Sequence, residues 1–384
     1  MKFFINSYFG DNQSIGLLSH IKKRLPYGMD DQWMVFSHYT ERGWTVDNLW
    51  HIFTDFYGGQ YAPLAFLSYL VLYAGFGYDP FYFHMFSLLL HIGCVCLVWK
   101  LISSLLRVHG GVSEKQILYV NFITTLLFAV HPINVEAVAW ISALKVLLYA
   151  FFYLLGLLCY LRYIRTSKIF YYVLTIGCFL CSFWGKEQAV TFPLALLIVD
   201  WFTNRNMKNL EVWSEKMSFL IMAFFFGIIT VLSQGKGPYE MIFPLYQRLL
   251  FGCFALVEYI TKSLLPVNLN FFYPFPIVLG EEPPLHYYLY PVVLLFLMGW
   301  IIAYRNNRYL VFGVLLFLVN LLFSIHLFNM SRHAIVADRY MYLSYVGIAF
   351  LIANGIWWLR KRLSYFKAAL VFLFFYCFFL SVYT

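Results

Sequence analysis

The amino-acid sequence predicts an all-α, polytopic integral membrane protein. Three observations predict it. The chain of 384 residues is 62% hydrophobic and 22% aromatic but only 12% charged, and its mean hydropathy is +0.72. Its apolar residues come in continuous runs of about 20, the length a helix needs to cross a bilayer. A β-barrel would instead alternate apolar and polar residues along short strands. Finally, its basic residues are bunched. Of 27 Lys and Arg, fifteen fall in five clusters: Lys100, Arg107 and Lys115; Arg162, Arg165 and Lys168; Arg205, Lys208 and Lys216; Arg305 and Arg308; Arg360, Lys361, Arg362 and Lys367. Glu114, Asp200, Glu211 and Glu215 are the only acids in those stretches. Clusters of this kind mark cytoplasmic loops. The net charge of +9 is therefore a membrane-topology signal, and a nucleic-acid partner is not expected.

The elements follow in order. Residues 1–60 hold no span and no signal peptide, and "IKKRLPYG" there is basic and polar. Residues 62–80 are short and rich in Gly and Tyr, which predicts a helix lying at the membrane surface. Spans are read at 80–101, 117–131, 143–163, 169–185, 187–203, 217–233, 288–304, 308–327, 340–359 and 366–383. The stretch 247–265 is long enough to cross but carries Arg248, Glu258 and Lys262. It reads as an interfacial or re-entrant helix; if it crossed, every later loop would change sides. The expectation is about 10–12 membrane helices, divided into an external acidic region over 1–79 and a transmembrane domain over 80–384. The seven cysteines all lie in apolar segments, where a thiol is ordinarily a small buried hydrophobe.

The loops facing away from the basic clusters carry most of the remaining polar residues. Four features stand out: Asp30 and Asp31 in "YGMDDQWMVF"; His131 and Glu136 in "HPINVEAVAWISALK"; Lys186 and Glu187 in "WGKEQAVTFP"; and Arg332, His333, Asp338, Arg339 and Tyr340 in "SRHAIVADRYMYL". Each has a plain reading, as solvated acids, a surface helix, an interface pair or a helix flank. Taken together they are harder to dismiss, because ionisable groups at membrane depth are costly and mark substrate paths. Carboxylates suit a general base for a hydroxyl acceptor. Arg and Lys suit a phosphate. Both at one bilayer face fit sugar transfer from a lipid-phosphate carrier.

At these residues the chain resembles a known family. "HPINVEAVAWISALK", "GKEQAVTFPLALLIVDWF", "LPVNLNFFYPFP" and "ADRYMYLSYVG" are similar, in order, to the membrane part of the transmembrane-and-TPR-repeat O-mannosyltransferases and their bacterial relatives, which are GT-C glycosyltransferases. The resemblance runs from about Asp30 to Tyr345. It implies a polyprenyl-phosphate-linked sugar donor, a hydroxyl acceptor on protein, lipid or glycan, and an active face that is periplasmic or lumenal. It implies a catalytic base in the first external loop, where Asp30 and Asp31 lie, with Asp31 preferred; the other acid would hold the loop. Glu136 would help to position or polarise the acceptor or sugar. His131, Lys186, Glu187, Arg332, His333, Asp338, Arg339 and Tyr340 would bind substrate. No metal is implied, except a divalent ion if the donor is a lipid diphosphate.

Three departures bear on this. The family's first transmembrane helix is not read before the acidic pair, and no TPR repeats are read. After "WIS", where the family has a Gly-Arg-x-Asp-like run, this chain has Ala143, Leu144, Lys145 and Val146. These departures keep open a second reading, a non-catalytic GT-C-fold scaffold or subunit of a membrane complex. A transporter would show internal repeats, and none is read.

Overall fold

Within a bilayer each backbone N–H and C=O has to be satisfied inside its own segment, so continuous apolar runs become helices. The computed structural model describes residues 30–234, 243–270, 272–326, 334–360 and 362–383, and most of it is helical. In chain order the helices are α1 (Asp31–Met34), α2 (His38–Glu41), α3 (Val46–Thr54), α4 (Pro63–Phe76), α5 (Pro80–His109), α6 (Glu114–Val130), α7 (Val135–Ala139) and α8 (Leu144–Thr166). There follow α9 (Ile169–Gly185), α10 (Phe192–Phe202), α11 (Leu210–Gln234), α12 (Leu245–Leu264), α13 (Leu289–Ala303), α14 (Arg308–Leu321), α15 (Met341–Leu359) and α16 (Leu363–Tyr383). Among the described residues the only sheet is a two-stranded one, β1 (Tyr273–Pro274) antiparallel to β2 (Ala334–Val336).

Five segments are long and apolar enough to cross a membrane: Pro80–His109, Ile141–Thr166, Leu210–Ser233, Leu285–Ala303 and Asp338–Leu359. They become six if the bent pair Glu114–Val130 and Pro132–Ala139 counts as one span, and four shorter apolar helices accompany them. The chain is thus an all-α, multi-pass membrane protein, as its sequence predicts. Boundaries differ in two informative places. The first span does not stop near residue 101: α5 runs on through Lys100 and Arg107 to His109. Lys and Arg are good helix formers whose long stems reach toward water, and the chain turns only at Gly110 and Gly111, both with positive φ. The span expected from 187 begins as a 3₁₀ turn, Glu187–Thr191, and becomes α-helical only at Phe192.

Packing divides the chain into two units. The first holds the described residues of Met1–Leu97, Val135–Val190 and Met222–Gly235; the second holds those of Val98–Asn134, Thr191–Ile221 and Lys236–Thr384. In the first unit, α1–α4 share one apolar core with the start of α5 and of α8. Met34, Val35, Tyr39, Ile52, Phe66, Tyr69 and Phe83 pack there with Ile141, Leu144 and Leu148. Each fully buried side chain of this size contributes about 1.5–3 kcal/mol, so the 30–79 region is bound to its unit, and α4 is a core helix as well as a short one.

In the second unit α6 and α14 pack on α15. A charged cluster is sealed in the same unit. Lys216 and Asp200 are both fully buried and pair with each other. Arg205 reaches Asp200 at 3.2 Å and Glu215 at 2.6 and 2.9 Å. Two of the cations that mark a basic loop in the sequence are therefore neutralised internally.

Candidate functional site: a buried carboxyl clamp and a tyrosine–aspartate pair

In the first unit the site is built around α1. Asp30 is the half-buried N-cap residue of α1 and makes no side-chain capping bond. Asp31 opens the helix and is only 4% exposed. Its Oδ1 accepts the backbone N–H of Ser142 at 3.0 Å and also the Ser142 hydroxyl. Burial pushes the Asp31 carboxyl up to about 6, against the opposing pull of the Ser142 hydrogen bonds. Ser142 is the middle residue of a 3₁₀ turn, Ile141–Ala143, between α7 and α8. The same turn is held from a second side, because the Tyr69 hydroxyl donates to the Ile141 carbonyl at 2.9 Å.

The neighbouring motifs enter the same unit. Glu136 lies on α7 and is buried, 3% exposed; α7 closes with the Trp140 N–H on the Glu136 carbonyl at 3.2 Å. This corrects the plain reading of Glu136 as a surface residue: a five-residue helix set between two tight turns has too little outer face to hold it in solvent. Lys145, in the first turn of α8, is also buried, and its Nζ donates to Gln60 Oε1 at 2.6 Å. Gln60 is presented by a tight loop in which Tyr57 and Gln60 exchange backbone bonds of 3.1 Å. Gly58 is required in that loop: its φ is +60°, and the Trp33 ring covers the place where a Cβ would stand.

Lys186 follows α9 as its C-cap and is 3% exposed, and Glu187 beside it is half-buried. The closeness of α8 and α9 sets their position. Ser182 Oγ donates to the Tyr149 carbonyl at 2.9 Å. At Gly185 a Cβ would fall 2.8 Å from the Tyr149 nitrogen, so only glycine permits this approach. Tyr149 is about one helical turn beyond Lys145, so both lysines enter the same end of the α8–α9 pair.

In the second unit, His131 caps the end of α6, is 1% exposed, and packs on Tyr345 with ring centroids 4.3 Å apart and the rings tilted by 37°. Asp338, also buried, leads the 3₁₀ turn Asp338–Tyr340 into α15. The Tyr273 hydroxyl lies 3.1 Å from both of its carboxylate oxygens. That hydroxyl in turn accepts from Lys262 Nζ at 2.9 Å and from the Asn270 N–H at 2.6 Å. The β1–β2 ladder, with Tyr273 opposite Val336, brings the two segments into register. Arg339 lies with its guanidinium 5.1 Å from the Tyr340 ring centroid.

The expected residues thus fall into two groups: Asp30, Asp31, Glu136, Lys186 and Glu187 in the first unit, and His131, Asp338, Arg339 and Tyr340 in the second. Arg332 and His333 lie outside the described residues. Among the described residues no three His, Cys, Asp or Glu side chains are grouped to hold a metal ion. Sequence reasoning missed Ser142, Gln60, Tyr273 and Lys262. Lys262 did carry a signal, as a cation inside an apolar stretch; Ser142 and Tyr273 lie within quoted motifs but, like Gln60, were not singled out there, because their importance lies in partners distant in the chain.

Comparison with known proteins gives the same direction as the motifs. No protein-family model matches the chain, and no solved structure matches it significantly. Among curated proteins, "Protein O-mannosyl-transferase TMTC2" of Mus musculus is 32% identical over 189 residues, 45% of this chain and 21% of the mouse protein. "Protein O-mannosyl-transferase tmtc2" of Xenopus laevis is 30% identical over 203 residues, covering 48% of this chain and 23% of its own length. "Protein O-mannosyl-transferase Tmtc3" of Drosophila melanogaster is 28% identical over 172 residues, 40% and 18% of the two chains. The matches span about a fifth of the length of these relatives. Over somewhat under half of its residues, this multi-pass membrane chain is similar to the TMTC protein O-mannosyl-transferases.

Proposed function

We propose that the chain is a glycosyltransferase that moves a sugar from a polyprenyl-phosphate carrier to a hydroxyl acceptor at the membrane face away from its basic loops. The names of its relatives favour mannose as the sugar and a protein hydroxyl as the acceptor. The observation that carries the reading is the Asp31–Ser142 clamp. It ties the acidic pair to the "WISALK" motif and leaves Asp30, the less buried of the two acids, at the start of α1.

In this reading the two acids divide the work. Asp31 is the positioning residue and Asp30 the general base. The acceptor oxygen attacks the anomeric carbon as Asp30 takes its proton. The bond from that carbon to the phosphate oxygen breaks, with inversion, and the polyprenyl phosphate leaves. Lys186 offsets the charge on the departing phosphate. Buried Glu136 and Lys145 keep the walls of the site polar and fixed. Arg339 is the planar cation of the second group suited to a phosphate.

The test is transfer of radiolabelled mannose from polyprenyl-phosphate mannose to peptide by the purified protein in detergent. Asp30→Asn keeps the size of the side chain and removes its basicity, so the rate should fall on the order of 10²–10⁴-fold with donor binding kept. A wild-type protein that binds donor and transfers nothing would favour the scaffold reading, to which Val146 in place of the family's acid already points.

A further inference from the structure

Helix α13 stands apart from most of its unit. None of its residues is buried, and it packs on α12 and on the Leu285–Tyr288 turn. Between this pair and the α14–α15 pair lies a groove of about 970 Å³. That is at the upper end of ordinary ligand sites, about 300–1,000 Å³. Its walls are apolar, with Leu256 from α12, Leu297 from α13, Phe317 from α14 and Ile348 from α15. All of its lining residues belong to the second unit.

The groove has a distinct polar end. Gln116, Asn307 and Arg360 line it there, with Trp300, Tyr304 and Trp358 around them. Tryptophan and tyrosine gather at the headgroup level of a bilayer, so this mouth lies at the membrane surface. The charge at that end is positive. Arg360 is exposed and rests over the Trp357 ring at 4.1 Å. Arg305 and Arg308 flank Asn307 in the same turn. The nearby acid Glu114 is paired with Arg107 at 3.2 Å. The same end holds the N-terminus of α14, where the Asn307 side chain caps two N–H groups, and a helix N-terminus favours an anion. Asp338–Tyr340 lies at the other end of α15, about 28 Å away along the 19-residue helix, so the groove is separate from the candidate site.

We propose that this groove is a binding site for one anionic glycerophospholipid of the basic-face leaflet. Its acyl chains fill the slot between α13 and α14–α15, and its phosphate meets Arg360. A zwitterionic head would bring its own cation against these arginines; an anionic one neutralises them.

Native mass spectrometry of the full chain released from detergent tests this, with dioleoyl phosphatidylglycerol and dioleoyl phosphatidylcholine added as separate probes. Phosphatidylglycerol should be retained at one per chain, about tenfold tighter than phosphatidylcholine. Arg360→Gln should abolish that preference. Gly355 lines the groove, and a Cβ there meets nothing within 4 Å. Gly355→Leu should therefore block retention of both lipids while the melting midpoint in detergent stays near that of the parent. Equal retention of the two lipids, or a phosphatidylglycerol preference that survives both variants, overturns the proposal. So does displacement of phosphatidylglycerol by added polyprenyl phosphate, which would make the groove a seat for the donor's tail.

Discussion

The sharpest consequence of the Asp31 clamp is that removing its charge should stabilise the protein. The carboxyl titrates at about 6 in the folded chain against an ordinary value of 3.8, with burial as the main cause. The difference of about two units corresponds to about 3 kcal/mol. The sign follows from proton binding. Between pH 4 and 6 the folded state holds a proton that the unfolded state has already lost, so stability falls as pH rises through that window and levels off above it. Asp31→Asn keeps an oxygen for the two Ser142 donors and carries no charge. At pH 7.5 the variant should be more stable than wild type by up to about 3 kcal/mol, and the advantage should vanish near pH 4. The assay is a set of thermal melts of the purified protein in detergent from pH 4 to 8, read as the wild-type–variant difference. Transfer by the same variant should stay within about tenfold of wild type, since Asp31 is assigned to positioning. A variant less stable than wild type at pH 7.5 would show that partners favouring the carboxylate outweigh its burial. A variant that is stable but transfers a hundredfold slower would make Asp31 the base.

Three further outcomes are expected. Lys186→Ala should weaken donor binding by about 1.5–3 kcal/mol, the value of a charge-assisted contact; unchanged donor affinity in a direct binding assay would remove Lys186 from the phosphate. Lys216→Met should destabilise the protein by taking one of its two cations from buried Asp200, which keeps Arg205 at 3.2 Å, whereas Lys216→Met with Asp200→Asn should recover most of the loss in the same detergent melts; equal losses would show that the pair is not a unit. Cysteines introduced at exposed Thr54 and Glu282 should react with an impermeant thiol reagent from the side opposite to cysteines at Ser167 and Asn306, in a background without native cysteines. Labelling of Asn306 together with Thr54 would mean that α12 crosses the membrane and that every later loop is reversed.

The sequence by itself determined the class of this protein. Membrane helices are legible because hydropathy sums locally: twenty neighbouring side chains decide whether a segment enters lipid, and no distant residue changes that. The same locality made the polar motifs conspicuous, since a carboxylate or lysine beside an apolar run stands out whatever it touches. It also misplaced boundaries wherever a helix carries its cations outward, as α5 does through Lys100 and Arg107. Only the tertiary structure decided which polar groups meet. Asp31 grips Ser142 from 111 residues away, and Tyr273 reaches Asp338 across 65. Lys216 looks in sequence like one more cytoplasmic cation, yet it is buried against Asp200. Such pairings depend on the register between packed segments and on how deeply each group is buried. A hydrogen bond has a reach of about 3 Å, so a shift of one residue between two segments would abolish each of them while leaving every local pattern in the sequence unchanged.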